Sequence, residues 1–322
     1  APPARRGGMR WTAPPGGGAV SREGGRGGAR GDDASGLRIA VDCANGAAYD
    51  LAPEVIEATG AVVERIGDQP NGVNINDGYG STSLAELQRV VAEKGLDFGL
   101  AYDGDADRVL GVDHRGRTVD GDQIISILAR HRSRLGTLPH NGVVVTEWSN
   151  LGLLRSLRAE GIAVEVCPVG DRAVAEAMNR TGYVLGGEQS GHIILSDLLA
   201  VGDGISTAIE LVGAIVDSGL PLADLCERSM HKMPQLNHNV RVALPPRDVV
   251  DKLGDEVRSV NAELGERGRL VLRPSGTERV VRVMAESDDA AEVVAIVDRM
   301  ASLVSAAGEQ PPAAERSLAG AG

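Results

Sequence analysis

The chain has 322 residues, enough for two to four domains of about 50–200 residues each. Its net charge of −12 makes it a poor electrostatic match for nucleic acid or an anionic membrane, so we expect neither as a partner. Aromatic residues make up only 2% of the chain, so its cores must be aliphatic, as is typical of parallel α/β sheets.

The three cysteines, Cys43, Cys167 and Cys226, are far apart and form no CxxC pair. We interpret them as buried thiols in a reducing compartment. The sequence shows neither an apolar run long enough for a membrane span nor the apolar region of a secretory signal. These features predict a cytoplasmic protein, and they leave the oligomeric state open.

Residues 1–36 contain 11 glycines and 4 prolines, with arginines interspersed and almost no periodic apolar pattern. Such a segment cannot bury enough surface to offset its ordering entropy, so we predict a disordered tail. A basic RNA-binding tail is the alternative. Residues 309–322 are predicted to be a second tail.

Residues 37–138 are predicted to form a first α/β domain. The run LRIAVDCAN indicates a strand, and Pro53 lies near the start of the helix that follows. Ser83 and Glu86 have the spacing of a capping box at the start of the next helix. The strands LDFGLAY and RVLGVD then flank an acidic turn, and the helix DQIISILARH follows.

Residues 139–232 repeat this strand–helix–strand rhythm, which favours parallel pairing with right-handed crossovers. The strand GVVVTEW precedes a helix capped by Ser149 or Asn150, and a helix over GDGISTAIELVGAIVDSG closes the unit. Residues 233–308 differ: one strand, one helix over 247–265, a β-hairpin and a final helix. The predicted fold class is therefore α/β, with two doubly wound domains and a smaller C-terminal α+β domain.

Three aspartates, Asp103, Asp105 and Asp107, alternate with small residues directly after a buried strand, and Arg108 follows them. Three carboxylates this close repel one another unless a cation neutralises them. Hard oxygen ligands suit Mg²⁺, and the carboxyl end of a strand is where α/β sheets bind ligands. We therefore predict a Mg²⁺ site, with Arg108 placed to contact a phosphoryl group. A solvated acidic turn is the alternative.

The loop GGEQSGH offers Glu188, Ser190 and His192 at alternating positions after a strand. A carboxylate and a hydroxyl on a glycine-rich loop suit a hydroxyl-rich ligand such as a sugar. A loop with a capping serine and a core histidine would explain the same residues.

The segment RPSGTERVVR has the composition of a phosphate site. Its donor residues are Arg273, Ser275, Gly276, Thr277 and Arg282. Hydroxyls and exposed amides would meet the phosphate oxygens, and the guanidinium groups would supply charge. An ordinary hairpin turn with surface arginines is the alternative.

Arg172, in VGDR between a strand and a helix, is a further candidate for facing the cleft that these loops would form. A helix cap by Asp171 explains that sequence equally well.

Together these motifs resemble those of the α-D-phosphohexomutase superfamily, and most closely its phosphoglucosamine mutase branch. Residues 103–108 match the metal loop DGDxDR, 187–192 the sugar loop GExSGH, and 273–278 the phosphate loop RxSGTE. Gln189 stands in the variable position of the sugar loop, as in that branch. The segments VDCANGAAY and PNGVNINDGYGSTSL are also similar, so the resemblance covers about 37–308.

The resemblance implies interconversion of glucosamine 6-phosphate and glucosamine 1-phosphate, for synthesis of UDP-N-acetylglucosamine. A phosphoserine in the family's first domain exchanges its phosphoryl group with the sugar. By analogy, the three aspartates hold Mg²⁺ against that phosphoserine, Glu188 and Ser190 bind sugar hydroxyls, and the last domain grips the other phosphate. Arg108 would stabilise the moving phosphoryl group.

One departure from the family concerns the nucleophile. Residues 1–36 contain Ser21 and Ser35, but not in the context of a nucleophile loop. The chain is therefore interpreted as domains two to four, without turnover on its own. A phosphomannomutase/phosphoglucomutase and an inactive sugar-phosphate-binding remnant are the alternatives.

Overall fold

A computed structural model describes residues 33–276 and 278–309. The predicted tails therefore lie outside the described residues except for positions 33–36 and Glu309. Ala34 is buried, and its N–H donates to the Thr59 carbonyl at 2.7 Å. This end of the predicted N-terminal tail is thus part of the first domain.

The first sheet contains five strands in the order β2-β1-β3-β4-β5. Its strands and helices, in chain order, are β1 (Arg38–Asp42), α1 (Leu51–Glu57), β2 (Val62–Ile66), α2 (Ala85–Lys94), β3 (Phe98–Tyr102), β4 (Val109–Asp113) and β5 (Thr118–Val119). β1 pairs in parallel with β2 and β3, whereas β4 runs antiparallel to β3. The six residues between β3 and β4 are too few for a parallel crossover, so the acidic turn joins a hairpin.

The second sheet has four strands in the order β7-β6-β8-β9. The elements of this unit are α3 (Gly121–Leu135), β6 (Gly142–Thr146), α4 (Leu151–Ala159), β7 (Ala163–Cys167), α5 (Asp171–Thr181), β8 (Leu185–Gly187), β9 (Ile193–Leu195), α6 (Gly204–Ser218) and α7 (Leu222–Ser229). β6 pairs in parallel with β7 and β8. Helix α3 packs against α4, α6, α7 and β8, so we propose a domain boundary near residue 120 instead of 138.

The C-terminal domain has a three-stranded antiparallel sheet in the order β10-β12-β11. Its elements are β10 (Gln235–Arg241), α8 (Pro246–Lys252), α9 (Gly254–Leu264), β11 (Gly268–Pro274), β12 (Val280–Ser287) and α10 (Ala290–Gly308). The single helix expected over 247–265 is two helices, because the chain turns at Leu253, between Lys252 and Gly254. The hairpin of β11 and β12 was predicted correctly.

The first two sheets share one continuous cluster of buried aliphatic side chains, and the C-terminal domain has its own.

The helix ends agree only in part with those predicted from the sequence. Asn150 caps α4 as expected, but α2 starts at Ala85 and has no side-chain cap from Ser83. The capping box is instead at α3, between Asp120 and Gln123.

Within the described ranges, no individual helix has the length and apolarity needed to cross a membrane. Helices α6 and α7 meet those criteria only when taken together, across a bend of 92°.

Candidate active site

The turn between β3 and β4 gathers the three predicted metal ligands. One carboxylate oxygen from each of Asp103, Asp105 and Asp107 lies within 4.8 Å of the others. Asp103 is 1% exposed, and its Oδ1 accepts a hydrogen bond from the Arg108 N–H at 3.1 Å. Ala106 adopts a left-handed conformation with φ of 64°, which allows the turn to be this tight.

Arg108 is the cation nearest to this cluster. Its NH2 lies 2.5 Å from Asp103 Oδ2, and its Nε lies 3.3 Å from Asp107 Oδ1. Burial lowers the pKa of the Arg108 guanidinium, but the charges of Asp103 and Asp107 outweigh burial and raise that pKa overall. Arg108 therefore remains charged.

The cluster fits a divalent cation. Asp103 Oδ2 is buried and accepts no hydrogen bond of good geometry from the residues described, despite its ion pair with Arg108. One guanidinium cannot balance three carboxylates. An all-oxygen set with few carboxylates is the kind that Mg²⁺ takes in proteins.

The sugar loop lies against the metal loop. Arg108 and His192 form an antiparallel β-bridge, and the Val109 N–H donates to the Gly191 carbonyl at 3.2 Å. The largely buried His192 ring places Nδ1 3.1 Å from Asp107 Oδ2. The predicted metal and sugar motifs are thus in direct contact, through two residues that are 85 positions apart in the chain.

The carboxylate of Glu188 is held at the start of helix α5. Its Oε1 accepts from the Gly170 N–H at 2.9 Å, and the Ser190 hydroxyl donates to its Oε2 at 3.4 Å. The positive end of the α5 dipole favours an anion there. Glu188 and Ser190 therefore present adjacent acceptor and hydroxyl groups.

Gln189, between these two residues, anchors the sugar loop through its side-chain amide. Its Nε2 donates to Asp122 Oδ2 at 3.2 Å and to Gln235 Oε1 at 3.0 Å. Burial, followed by the charge of Asp120, raises the pKa of Asp122 well above its ordinary value. The loop is thereby linked to α3 and to the first strand of the C-terminal domain.

Two arginines of the C-terminal sheet face each other across neighbouring strands. Arg273 of β11 pairs in register with Arg282 of β12. Like charges in this position destabilise a sheet, and neither forms an ion pair within the part of the chain that is described. The pair is therefore suited to an anion.

One cleft of about 560 Å³ brings most of the predicted residues together. Its lining residues are Asp107, Arg108, Thr146, Trp148, Val169, Gly170, Asp171, Glu188, Gln189, Ser190, His192, Arg273 and Arg282. Thr146 and Trp148 were missed by the sequence reasoning. The signal available for them was their position at the end of β6 and directly after it, at the same edge of the sheet as the sugar loop.

Some predicted residues do not line this cleft. Arg172 has an 88% exposed side chain and bonds to Glu176 instead, while α5 has no side-chain cap from Asp171. Ser275 and Gly276 lie further out in the hairpin turn. Thr277 lies outside the described residues.

The fold is that of the phosphohexomutases. The structure superposes with a TM-score of 0.72 on an Aspergillus fumigatus N-acetylphosphoglucosamine mutase solved in complex with GlcNAc-6P and magnesium. The two sequences are 23% identical, and the superposition covers 87% of this chain and 64% of that chain. A phosphoglucomutase/phosphomannomutase family protein from Burkholderia thailandensis gives the same TM-score and identity, covering 87% and 63%.

Three family models of phosphoglucomutase/phosphomannomutase match: alpha/beta/alpha domain II over residues 29–116, alpha/beta/alpha domain III over 120–233, and the C-terminal domain over 238–303. The chain belongs to this family, the α-D-phosphohexomutases. It is 49% identical over 270 residues to the phosphoglucosamine mutase of Acidothermus cellulolyticus, and 46% identical over 272 residues to that of Erythrobacter litoralis.

These alignments cover 84% of this chain, and 58% and 60% of the two relatives. The chain therefore spans about three-fifths of the length of the curated relatives it matches.

Proposed function

We propose that the chain supplies the metal-, sugar- and phosphate-binding domains of a phosphoglucosamine mutase, which interconverts glucosamine 6-phosphate and glucosamine 1-phosphate. The observation that carries this proposal is the convergence of Arg108, Glu188, Ser190, Arg273 and Arg282 on one cleft beside the acidic cluster. The similarity to relatives named phosphoglucosamine mutase supports the choice of sugar.

Each group has a distinct proposed role. Arg273 and Arg282 bind the non-reacting phosphate, because two adjacent guanidiniums that form no ion pair with the described residues are matched by a dianion. Glu188 accepts hydrogen bonds from a sugar hydroxyl or from the amino group, and Ser190 exchanges hydrogen bonds with a neighbouring sugar hydroxyl. Arg108 faces the reacting phosphate and stabilises the charge on its oxygens during transfer.

Asp103, Asp105 and Asp107 would hold Mg²⁺, which when bound neutralises charge on the transferring phosphoryl group. His192, hydrogen-bonded to Asp107, keeps that ligand oriented. Ser275 and Gly276 would reach the phosphate only if the hairpin turn moved toward the cleft, and Arg172 would reach the sugar only by leaving Glu176.

The phosphoryl donor is assigned to no described residue, so we expect no mutase turnover from this chain alone. Phosphorylated sugars are charged metabolites that stay within the cell, and we therefore propose a cytoplasmic site of action.

A panel of sugar phosphates tests the proposal. We expect calorimetry with Mg²⁺ present to show one site for glucosamine 6-phosphate, with weaker binding of glucose and mannose 6-phosphates. The variant Glu188→Gln should reduce this preference, whereas Arg273→Met should weaken all three ligands alike. Equal affinity for the three sugars would favour a phosphomannomutase/phosphoglucomutase, and absence of binding would overturn the proposal.

A further inference from the structure

Trp148 is a cleft residue to which no motif assigns a role. Among the described lining residues it is the only aromatic side chain apart from the His192 imidazole, and Val169 is the only aliphatic one of any size. The chain as a whole has only two tryptophans, four tyrosines and one phenylalanine. A large apolar ring is therefore placed in a cleft whose other groups are nearly all polar or charged.

The backbone around Trp148 is held firmly. Its N–H donates to Thr146 Oγ1 at 3.3 Å, and its carbonyl accepts from Gln235 Nε2 at 3.2 Å. On the following residues, the Ser149 carbonyl accepts from Arg269 NH2 at 2.5 Å and the Asn150 N–H donates to Asp122 Oδ2 at 2.7 Å. The loop therefore presents its tryptophan from a fixed position.

This loop lies beside the sugar loop. β6 and β8 are parallel neighbours, with Val145 paired to Gly187, so the chain leaves both strands at the same edge of the sheet. Gln235 connects the two loops, because it bonds to the Trp148 carbonyl and to Gln189. Trp148 and Glu188 thus line the same cleft from adjacent turns.

A pyranose ring has polar edges and apolar C–H faces. Glu188, Ser190 and the arginines offer partners for the hydroxyls and phosphate, but they leave the apolar face exposed to water. Binding sites usually combine a few placed polar groups with apolar or aromatic walls. A half-buried tryptophan is a rigid surface of that kind and costs little side-chain entropy on binding.

We propose that Trp148 covers one face of the sugar ring and so determines affinity for the sugar independently of its phosphate. This inference rests on the proposed binding of a hexosamine phosphate. It makes Trp148 a specificity-determining residue that contacts the ligand without taking part in phosphoryl transfer.

Calorimetric titrations of the whole chain with glucosamine 6-phosphate and with inorganic phosphate test the inference. Trp148→Ala should bind glucosamine 6-phosphate about 5- to 20-fold more weakly, the loss expected for exposing roughly 40–70 Å² of apolar surface. Trp148→Phe should restore most of the affinity, and inorganic phosphate should bind all three proteins within about twofold. Tryptophan fluorescence in a Trp11→Phe background, which leaves Trp148 as the single reporter, should change on addition of the sugar phosphate and not of phosphate.

Three outcomes are distinguishable. Wild-type affinity for glucosamine 6-phosphate in Trp148→Ala would overturn the inference and leave the proposed function intact. Equal losses for glucosamine 6-phosphate and inorganic phosphate would also overturn it, since they would indicate a structural change of the loop. No binding of glucosamine 6-phosphate by the wild type would overturn the proposed function on which the inference rests.

Discussion

Removal of the Glu286 carboxylate should weaken the contact between the C-terminal domain and the second domain. Glu286 lies in β12 and is fully buried. Its oxygens accept from Arg269 Nε at 2.5 Å, from the Leu151 N–H at 2.9 Å and from Gln235 Nε2 at 3.3 Å. Since Leu151 starts helix α4, this single carboxylate joins two domains.

The magnitude follows from these three bonds. Breaking a buried ion pair by removing one partner costs about 3–5 kcal/mol, because the other charge remains buried. In Glu286→Ala the Arg269 guanidinium, whose side chain is 20% exposed, loses its carboxylate and keeps the Ser149 carbonyl, and the Leu151 amide loses its acceptor, so we expect a loss of about 3 kcal/mol, at the lower end of that range. Glu286→Gln keeps one acceptor oxygen, and we expect it to lose about half as much.

Urea unfolding and limited proteolysis measure the effect. The apolar core of the C-terminal domain does not include Glu286, so that domain should stay folded while the connection near residues 230–235 becomes sensitive to protease. Glu263→Ala is the control, because Glu263 is an exposed residue of the same domain and should cost under about 1 kcal/mol. A loss in Glu286→Ala no larger than in the control, with unchanged proteolysis, would refute the reasoning.

Three further expectations concern the metal loop and the first domain. In Gly204→Ala the new Cβ would lie 2.7 Å from the Arg108 carbonyl oxygen, so the metal loop must shift. We expect the free energy of unfolding to fall by about 1–3 kcal/mol, and calorimetry to show weaker Mg²⁺ binding. Gly254→Ala, whose Cβ would meet only a flexible side chain at 3.4 Å, is the control and should leave Mg²⁺ binding unchanged. Burial raises the pKa of Asp42 to about 6, so its stabilising contribution is complete below pH 4 and is lost as the pH rises through 6. The difference in unfolding free energy between wild type and Asp42→Asn should therefore fall by up to about 3 kcal/mol between pH 4 and 6.5, and a pH-independent difference would contradict this. Saturating Mg²⁺, at about 100 times its dissociation constant, should raise the unfolding free energy by about 2.7 kcal/mol in the wild type and much less in Asp105→Asn, as chemical denaturation with and without chelator would show.

The candidate site was predictable where a short motif contains its own chemistry. The acidic turn was predicted to be a metal site because three carboxylates after a buried strand repel one another, and the structure gathers their oxygens within 4.8 Å, as such a site needs. The contact between His192 and Asp107 was not predicted, because their loops belong to two different sheets. Its geometry depends on how the two domains pack.

Long-range polar contacts were beyond sequence reasoning. Nothing in the spacing of Gln189, Gln235 and Glu286 indicates that they form one hydrogen-bonded network across two domains. Arg172 shows the opposite limit, because a cation in a suitable loop was expected at the cleft but pairs locally with Glu176 one turn along its own helix. Such a choice is decided by side-chain geometry, which the sequence pattern does not encode.

The central claim is that a metal at the acidic turn and a phosphate of the sugar ligand share one cleft. Mn²⁺ in place of Mg²⁺, added below stoichiometry, makes this measurable through the ³¹P NMR linewidth of glucosamine 6-phosphate. We expect the wild-type chain to broaden that resonance beyond the protein-free control, and Asp103→Asn to abolish the effect while the sugar phosphate still binds. Absence of broadening in the wild type, or equal broadening in Asp103→Asn, would contradict the account.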